Sequence, residues 1–111
     1  MELFPHKQAG GLVLFPAGRI DHSNAEAFRS ALEPHLAGCK PDGYRIVLDL
    51  SHLDYISSAG LRILMIAAKQ VKSQQGSIVV AEMQPVVREI FNISKFTLVF
   101  QCVDTLDEIP A

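Results

Sequence analysis

The sequence predicts an α/β fold in which a mixed central β-sheet of about four to five strands is packed by three to four helices. Short runs of apolar and β-branched residues alternate along the chain with longer segments of helical periodicity, which is typical of this fold class. The first two predicted strands are joined by a short glycine turn, so they are antiparallel neighbours and the sheet is not purely parallel. A chain of 111 residues is also long enough to bury one core, and we expect a single domain over residues 1–111.

The first segment predicts a β-hairpin. Apolar runs at residues 3–4 and 12–15 flank the turn sequence QAGG at residues 8–11. Pro16 follows the second run. Because proline cannot donate a ladder hydrogen bond, the end of that strand is expected at a sheet edge or a bulge.

The first helix is predicted from its start signal. Ser23 and Glu26 have the S-x-x-E spacing of a capping box, in which the two side chains satisfy backbone N–H groups at the helix start. We expect a helix from about residue 24 toward residue 32. Pro34 is expected to kink or end it, because its ring removes a helical hydrogen bond and clashes with the preceding turn.

The later elements follow from apolar runs and from the positions of glycine and proline. Gly76 stands just beyond the longest helical pattern, and Pro85 stands in the first turn of the next one, where proline is tolerated. The predicted elements are a central strand at 45–50, the longest helix at 59–75, a second central strand at 77–83, a third helix at 85–92, a final strand at 98–103 and a helical turn at 106–109.

Composition and charge exclude several functional classes. A net charge of -2 gives no electrostatic reason to bind nucleic acid or an anionic membrane surface. No apolar stretch approaches the ~18 residues that a membrane span requires, and we expect no signal peptide at the start of the chain. Cys39 and Cys102 form no CxxC pair, which is typical of reduced thiols. We therefore expect a cytoplasmic protein.

The sequence gives little support to an enzymatic function. It contains no P-loop, and no two histidines or cysteines have metal-ligand spacing. The pair Ser57 and Ser58 lacks the first glycine of a nucleophile elbow. His22 and His52 fall in loops that are expected at one edge of the sheet, and the sequence gives a Ser–His–Asp set there little support. We expect no catalytic residue, no metal site and no cofactor.

The most informative segment is LDLSHLDYISSAGL at residues 48–61, which reads as a buried strand, a loop at residues 52–58 and a helix start. Ser57 and Ser58 stand at that helix start. A serine there normally caps the helix, and capping is the interpretation that the residues alone favour. The same place is also suited to an anion, because unpaired N–H groups and the helix dipole face outward. A phosphate on the hydroxyl would therefore do little damage to the fold.

This segment resembles the signature of the STAS domain, which is found in bacterial anti-sigma factor antagonists. In that family the strand is followed by an aspartate, a phosphorylatable serine, a small residue and then glycine-leucine. When the segment is aligned on Gly60 and Leu61, the phosphorylatable serine falls on Ser58. Ser57 replaces the acidic residue. The order of the predicted elements also matches the family over nearly the whole chain.

A second match lies at residues 18–21, GRID, which resemble the family's turn before its first helix. The resemblance implies that Asp21 corresponds to a residue that faces the kinase partner. Arg19 stands where an acidic residue is frequent, so the local charge is shifted toward positive. Asp21 also has a local interpretation as a turn residue before the first helix, and the residues alone leave both open.

The exposed side of the longest helix is the remaining part of the predicted interface. At 100° per residue an apolar stripe faces the sheet, while basic and apolar side chains share the other side. The stripe comprises Leu61, Leu64, Ala67, Ala68 and Val71. The predicted partner-binding residues are Asp21, Ser57, Ser58, Arg62, Met65, Ile66 and Lys69. The alternative for the helix is a solvated amphipathic face without a partner.

The resemblance implies a partner-switching regulator. With Ser58 unmodified, such a protein binds an anti-sigma factor of the serine-kinase type, and a PP2C-type phosphatase reverses phosphorylation. The kinase supplies ATP and Mg²⁺. Two alternatives stay open: a non-switching interaction module in a signalling scaffold or lipid-transport complex, and a small-ligand or nucleotide-binding domain that uses the crevice near Asp21 and Ser58.

Overall fold

The computed structural model describes residues 3, 5–8 and 10–109. The strands are β1 His6–Gln8, β2 Gly11–Leu14, β3 Gly18–Ile20, β4 Arg45–Asp49, β5 Leu53–Ile56, β6 Ile78–Ala81 and β7 Gln101–Cys102. The helices are α1 Ala25–Leu36, α2 Ser58–Ser73 and α3 Pro85–Ile93, and short 3₁₀ turns span Phe96–Leu98 and Leu106–Glu108. The predicted α/β class is confirmed.

The main sheet has five strands in the order β1-β2-β4-β6-β7. β1 is antiparallel to β2, and the other neighbouring pairs are parallel. The central strands β4 and β6 are almost wholly buried, which explains their continuous apolar sequences. The mixed sheet of about five strands is therefore confirmed, as is its packing by three helices.

A second, smaller sheet consists of β3 and β5 in parallel. The predicted loop at residues 52–58 is therefore wrong, since it contains β5, and the strand at residues 18–20 was not predicted. Both strands are too short for a clear alternating pattern. Their pairing joins residues far apart in sequence, such as Ile20 opposite Ile56. Leu53 and Ile56 are buried, and this burial is what holds the short strand on the core.

The hairpin begins later than its apolar sequence suggested. Its first strand is the polar, exposed segment His6–Gln8, not the run at residues 3–4. Leu3 is buried in the core, and its carbonyl accepts a 3.3 Å hydrogen bond from the Phe15 N–H. Phe4 lies outside the described residues. As an edge strand of the sheet, β1 has no need of apolar residues on both faces.

Two predictions about α1 are wrong. The capping box does not form, because the Ser23 hydroxyl donates to Asp21 and Glu26 pairs with Arg29 instead. The helix also continues through Pro34 to its end at Leu36. Leu36 is buried on the core, so packing of the last turn outweighs the hydrogen bond lost at the proline.

The predicted final strand at residues 98–103 is mostly a turn. Lys95 has a φ of 66°, and the chain then forms the 3₁₀ turn Phe96–Leu98. The rings of Phe96 and Phe100 lie 5.7 and 6.4 Å from the Phe91 ring, so an aromatic cluster fixes this turn. Only Gln101–Cys102 pairs with β6. The predicted helical turn at the end of the chain is the 3₁₀ turn Leu106–Glu108.

The main sheet is covered on both faces. The larger core lies between the sheet and the helices and includes Phe28, Leu64 and Phe91. A smaller cluster on the opposite face consists mainly of short side chains, over which Ile109 packs. The C-terminal turn therefore contributes to the fold by covering the face that no helix covers.

Candidate partner-binding site at the ends of β3 and β5

The parallel pairing of β3 and β5 brings two loops to one edge of the small sheet. Ile20 lies opposite Ile56, so Asp21 and Ser57 are the residues that leave the two strands side by side. The Ser57 N–H donates a 2.8 Å hydrogen bond to the Ile20 carbonyl, which joins the two loops directly. Asp21 and the two serines are therefore brought together, as the predicted site requires.

The two serines occupy different positions at the start of α2. Ser57 is the N-cap residue and has an extended backbone, but its side chain makes no capping hydrogen bond. Its Oγ atom is buried and has no hydrogen-bond partner among the described residues. Ser58 is the first helical residue and is exposed. The interpretation of these serines as side-chain caps is wrong, because neither hydroxyl bonds to the first-turn N–H groups.

The start of α2 also carries no negative side chain of its own. The first turn contains no acidic residue. The N–H groups of a first helical turn have no acceptors within the helix and carry partial positive charge. Ser58 thus presents an unbonded hydroxyl beside a positive helix end, which is a place where an added anion is stabilised.

Gly60 fixes the height of α2 above the small sheet. A Cβ atom at this position would lie 2.6 Å from Ile56 Cγ1 and 2.7 Å from Ile20 Cγ2. Both distances are far shorter than an ordinary carbon–carbon contact of about 3.5–4.0 Å. The helix can rest directly on β3 and β5 because residue 60 has no side chain, and this contact positions Ser58 two residues earlier.

Asp21 is held in a compact turn at the end of β3. Its carboxylate accepts hydrogen bonds from the Ser23 hydroxyl at 2.6 Å and the Ser23 N–H at 2.9 Å. The hydroxyl bond is the main reason that the pKa of Asp21 lies below its ordinary value, and the N–H bond adds to it. The carboxylate is therefore ionised near neutral pH and fixed in direction.

Asn24 completes this turn. Its Oδ1 accepts the Asp21 N–H at 2.8 Å, and its Nδ2 donates to the Arg19 carbonyl at 2.7 Å. These structural roles of Ser23 and Asn24 were not predicted from the sequence. The D-x-S-N spacing carries the signal, since Asp and Asn side chains commonly bond to backbone groups two or three residues away.

The Arg19 guanidinium lies on the outer side of the small sheet. It stacks over the Tyr55 ring at 4.3 Å from the ring centroid, as expected for residues opposite one another on paired strands. Arg19 is exposed. A fixed positive charge therefore stands next to the Asp21 turn, which makes the charge of this edge mixed.

His52 does not join the serines. It precedes β5, and its ring lies 6.3 Å from the Phe15 ring. Ser57 follows the other end of the same strand, and a strand of four residues is about 13 Å long. His52 is therefore too far from Ser57 and Ser58 to act as a base for either hydroxyl.

The predicted docking side of α2 is divided between two flanks. Arg62, Ile66 and Lys69 are exposed, and Met65 is half-buried. Ile66, which is 52% exposed, lies on the flank beside α1. Met65 and Lys69 lie on the other flank, toward residues 98–101. The predicted residues therefore follow the outer surface of α2 but do not form one compact patch.

The apolar stripe of α2 agrees with the prediction at three of its five positions. Leu64, Ala67 and Val71 are buried, whereas Leu61 and Ala68 are half-buried. Ile63 and Gly60 are buried as well. The buried side is therefore shifted by a fraction of a turn toward α1.

Comparison with known proteins identifies the family. Residues 5–109 match the family model of the STAS domain. The anti-sigma factor antagonist BtrV of Bordetella bronchiseptica is 41% identical over 112 residues, a match that covers 100% of this chain and 93% of that protein. This chain belongs to the STAS family of anti-sigma factor antagonists. STAS antagonists are regulatory binding proteins.

Solved structures show the same STAS fold. A STAS domain protein from Planctomyces limnophilus superposes with a TM-score of 0.83 at 21% identity, covering 96% of this chain and 92% of that one. The antagonist SpoIIAA in its unphosphorylated form gives a TM-score of 0.66 at 15% identity, covering 96% and 91%. The phosphorylated form of SpoIIAA from Bacillus gives 0.63 at 14% identity, covering 91% and 90%.

The described residues contain neither a membrane-spanning helix nor a cluster of metal-ligating side chains. None of the helices there combines the length and apolar character needed to cross a lipid bilayer. In the same part of the chain, no three His, Cys, Asp or Glu side chains are grouped so that they could hold a metal ion.

Proposed function

We propose that this STAS protein binds an anti-sigma factor of the serine-kinase type while Ser58 is unmodified, and that phosphorylation of Ser58 ends that binding. Binding would free a sigma factor for transcription in the cytoplasm. The observation that carries the proposal is the position of Ser58: it is exposed, it opens α2, and it occupies the phosphorylatable position of the STAS signature. The names of BtrV and SpoIIAA, and the phosphorylated form of SpoIIAA, add support.

The phosphorylation step uses only the hydroxyl of this chain. Ser58 Oγ attacks the γ-phosphorus of ATP held with Mg²⁺ by the kinase, its proton passes to a base of the kinase, and ADP leaves. A PP2C-type phosphatase then hydrolyses the phosphoserine and restores the binding state. No cofactor of this chain takes part in either step.

The added charge has opposite effects on the fold and on the interface. A phosphoserine carries about -1.5 to -2 charge near neutral pH. The N-terminus of α2 stabilises such a charge by roughly 0.3–1 kcal/mol, so the fold is retained. At the interface the phosphate adds bulk and stands on the same edge as the ionised Asp21. A loss of about 3 kcal/mol in binding free energy would weaken the complex on the order of a hundredfold.

The proposed contact surface runs from the edge of the small sheet along α2. Its fixed carboxylate and its basic side chains offer a partner charges of both signs, and the apolar side chains supply contacts that exclude water. The residues proposed to contact the anti-sigma factor are Asp21, Ser57, Ser58, Arg62, Met65, Ile66 and Lys69.

The direct test is phosphorylation by the cognate anti-sigma kinase with ATP, followed by mass spectrometry of the peptide that contains residues 57 and 58. We expect one phosphate, lost in Ser58→Ala and retained in the matched control Ser57→Ala. A wild-type protein that acquires no phosphate on Ser58 would refute the switch.

Binding to the same kinase separates switching from a permanent interaction module. Ser58→Asp is expected to weaken the complex strongly, whereas Ser58→Ala is expected to bind as the wild type does. Unchanged binding by Ser58→Asp would instead favour a non-switching STAS module in a scaffold or a lipid-transport complex. Calorimetry with GTP and ATP tests the small-ligand alternative, and we expect no tight binding.

A further inference from the structure

A groove lies at the other end of α2 from Ser58. It runs between the C-terminal half of α2 and residues 98–101 and has a volume of about 620 Å³. Its lining includes the buried side chains of Val71, Ile78 and Phe100. The side chains that line it with more exposure include Met65, Lys69, Lys72, Leu98 and Gln101.

The charged side chains that line the groove are all positive. None of its lining residues is acidic. Lys69 and Lys72 are exposed on its rim, and neither forms an ion pair within the part of the chain that the structure describes. An apolar groove with two available ammonium groups is complementary to an apolar side chain flanked by carboxylates.

The 3₁₀ turn Phe96–Leu98 places an exposed apolar side chain on the rim of the groove. Five large apolar side chains of the described residues are exposed, and two of them, Leu98 and Val99, line the groove. Leu98 is 82% exposed although Phe96 and Phe100 on either side of it are buried. The Leu98 N–H bonds to the Lys95 carbonyl at 3.1 Å and the Phe100 N–H to the Phe96 carbonyl at 3.0 Å. The turn that buries both phenylalanines therefore holds Leu98 outward.

The groove is continuous with the Ser58 edge along one side of α2. Ser58, Met65 and Lys72 are spaced seven residues apart, so their side chains point in nearly the same direction. The fourteen residues from Ser58 to Lys72 correspond to about 21 Å of helix. A partner that lies along α2 from Ser58 would reach the groove.

We propose that this groove docks an acidic segment of the anti-sigma factor, with a leucine-sized side chain placed against Leu98 and carboxylates paired with Lys69 and Lys72. This assignment rests on the proposed function and adds a contact that does not depend on phosphorylation. A charge about 21 Å away is screened, because the Debye length is about 8 Å at physiological ionic strength. The groove is therefore the same docking surface in both states of Ser58.

Other occupants fit the groove less well. A small-molecule site encloses most of its ligand, whereas Leu98 projects outward, where only a broad protein surface would cover it. A second copy of this chain, related by two-fold symmetry, would place the same groove opposite itself and bring lysines against lysines. A partner with carboxylates at this position avoids that repulsion.

The test measures the affinity for the cognate anti-sigma factor. We expect Lys69→Glu/Lys72→Glu to weaken binding at least tenfold and Leu98→Ser at least fivefold. Lys7→Glu/Lys40→Glu is the matched charge control: it exchanges two exposed lysines elsewhere and changes the net charge by the same amount, from -2 to -6. Val86→Ser is the matched apolar control. Both controls are expected to change the affinity less than twofold.

Two further measurements make the result decisive. Adding Ser58→Asp to Leu98→Ser should multiply the two separate losses, because the sites are far apart. Hydrogen exchange on the wild-type complex should show protection at residues 96–101, which gives an answer even where a variant unfolds.

Different results would refute the groove assignment and the phosphorylation switch. Groove variants that bind as the wild type does, with no protection at residues 96–101 while Ser58→Asp still weakens binding, would overturn the groove assignment and leave the switch intact. No binding by the wild type would refute the proposed function and the groove assignment together.

Discussion

Replacing Gly60 by alanine tests whether direct contact between α2 and the small sheet positions Ser58. The new Cβ atom would lie 2.6 Å from Ile56 Cγ1 and 2.7 Å from Ile20 Cγ2. Each pair must separate by about 1 Å to reach an ordinary contact of about 3.5–4.0 Å. Both isoleucines are buried, at 1% and 0% exposure, so neither can move into solvent.

The sign of the effect depends on two opposing terms. Alanine is favoured over glycine in a helix by about 1 kcal/mol. Overpacking of a well-packed core costs about 1–3 kcal/mol. Because the clash involves both β3 and β5, we expect the upper part of that range and a net loss of about 1–2 kcal/mol in the free energy of unfolding. Displacement of the helix start should also slow phosphorylation of Ser58.

Urea denaturation measures the loss, and a double-mutant cycle with Ile20→Ala identifies its cause. Ile20→Ala alone should cost about 2–5 kcal/mol, and it should cost clearly less in the Gly60→Ala background, where it relieves the clash. A Gly60→Ala protein at least as stable as the wild type would show that the close approach of α2 to Ile20 and Ile56 does not limit the packing, contrary to this prediction.

Two further predictions concern the Asp21 turn and the second face of the sheet. Ser23→Ala removes a hydrogen bond to the Asp21 carboxylate, so an NMR titration should show the pKa of Asp21 rising toward its ordinary value, unlike in the control Ser30→Ala. Because the pKa of Asp21 is lower in the folded protein than in the unfolded chain, its ionised carboxylate stabilises the fold at neutral pH, and this stabilisation is lost as the pH falls through the folded-state pKa. An unchanged Asp21 pKa in Ser23→Ala would contradict this role of Ser23. Ile109→Ala uncovers the smaller core and should cost about 2–3 kcal/mol in urea denaturation, against less than about 0.5 kcal/mol for the exposed control Thr105→Ala.

The elements that the sequence predicted well are those whose signal is local and long. β4 and β6 are continuous apolar runs because helices or the C-terminal turn cover both faces of the sheet. α2 and α3 have a helical apolar period, and α3 begins at Pro85 as predicted. Most of the residues that give these patterns are buried, although Val86 of α3 is exposed, so periodicity and packing largely agree.

The elements that it missed depend on contacts between distant parts of the chain. β3 and β5 are three and four residues long and are strands only because they pair with each other. α1 passes Pro34 because Leu36 is buried against the core. The S-x-x-E spacing failed for a local reason: Asp21 offered the Ser23 hydroxyl an ionised acceptor at 2.6 Å.

In the candidate site, too, the local motif could be predicted from the sequence, whereas contacts with distant residues could not. The motif placed Ser58 at a helix start, but only the structure shows which serine opens the helix and which one has a buried hydroxyl. Ser57 lies on the small sheet, where its N–H bonds to the Ile20 carbonyl and its Oγ is enclosed. That leaves Ser58 as the hydroxyl that a kinase can reach without moving the backbone. Since neither side chain caps the helix, a phosphate on Ser58 would displace no existing side-chain hydrogen bond, which favours the proposed switch at this position.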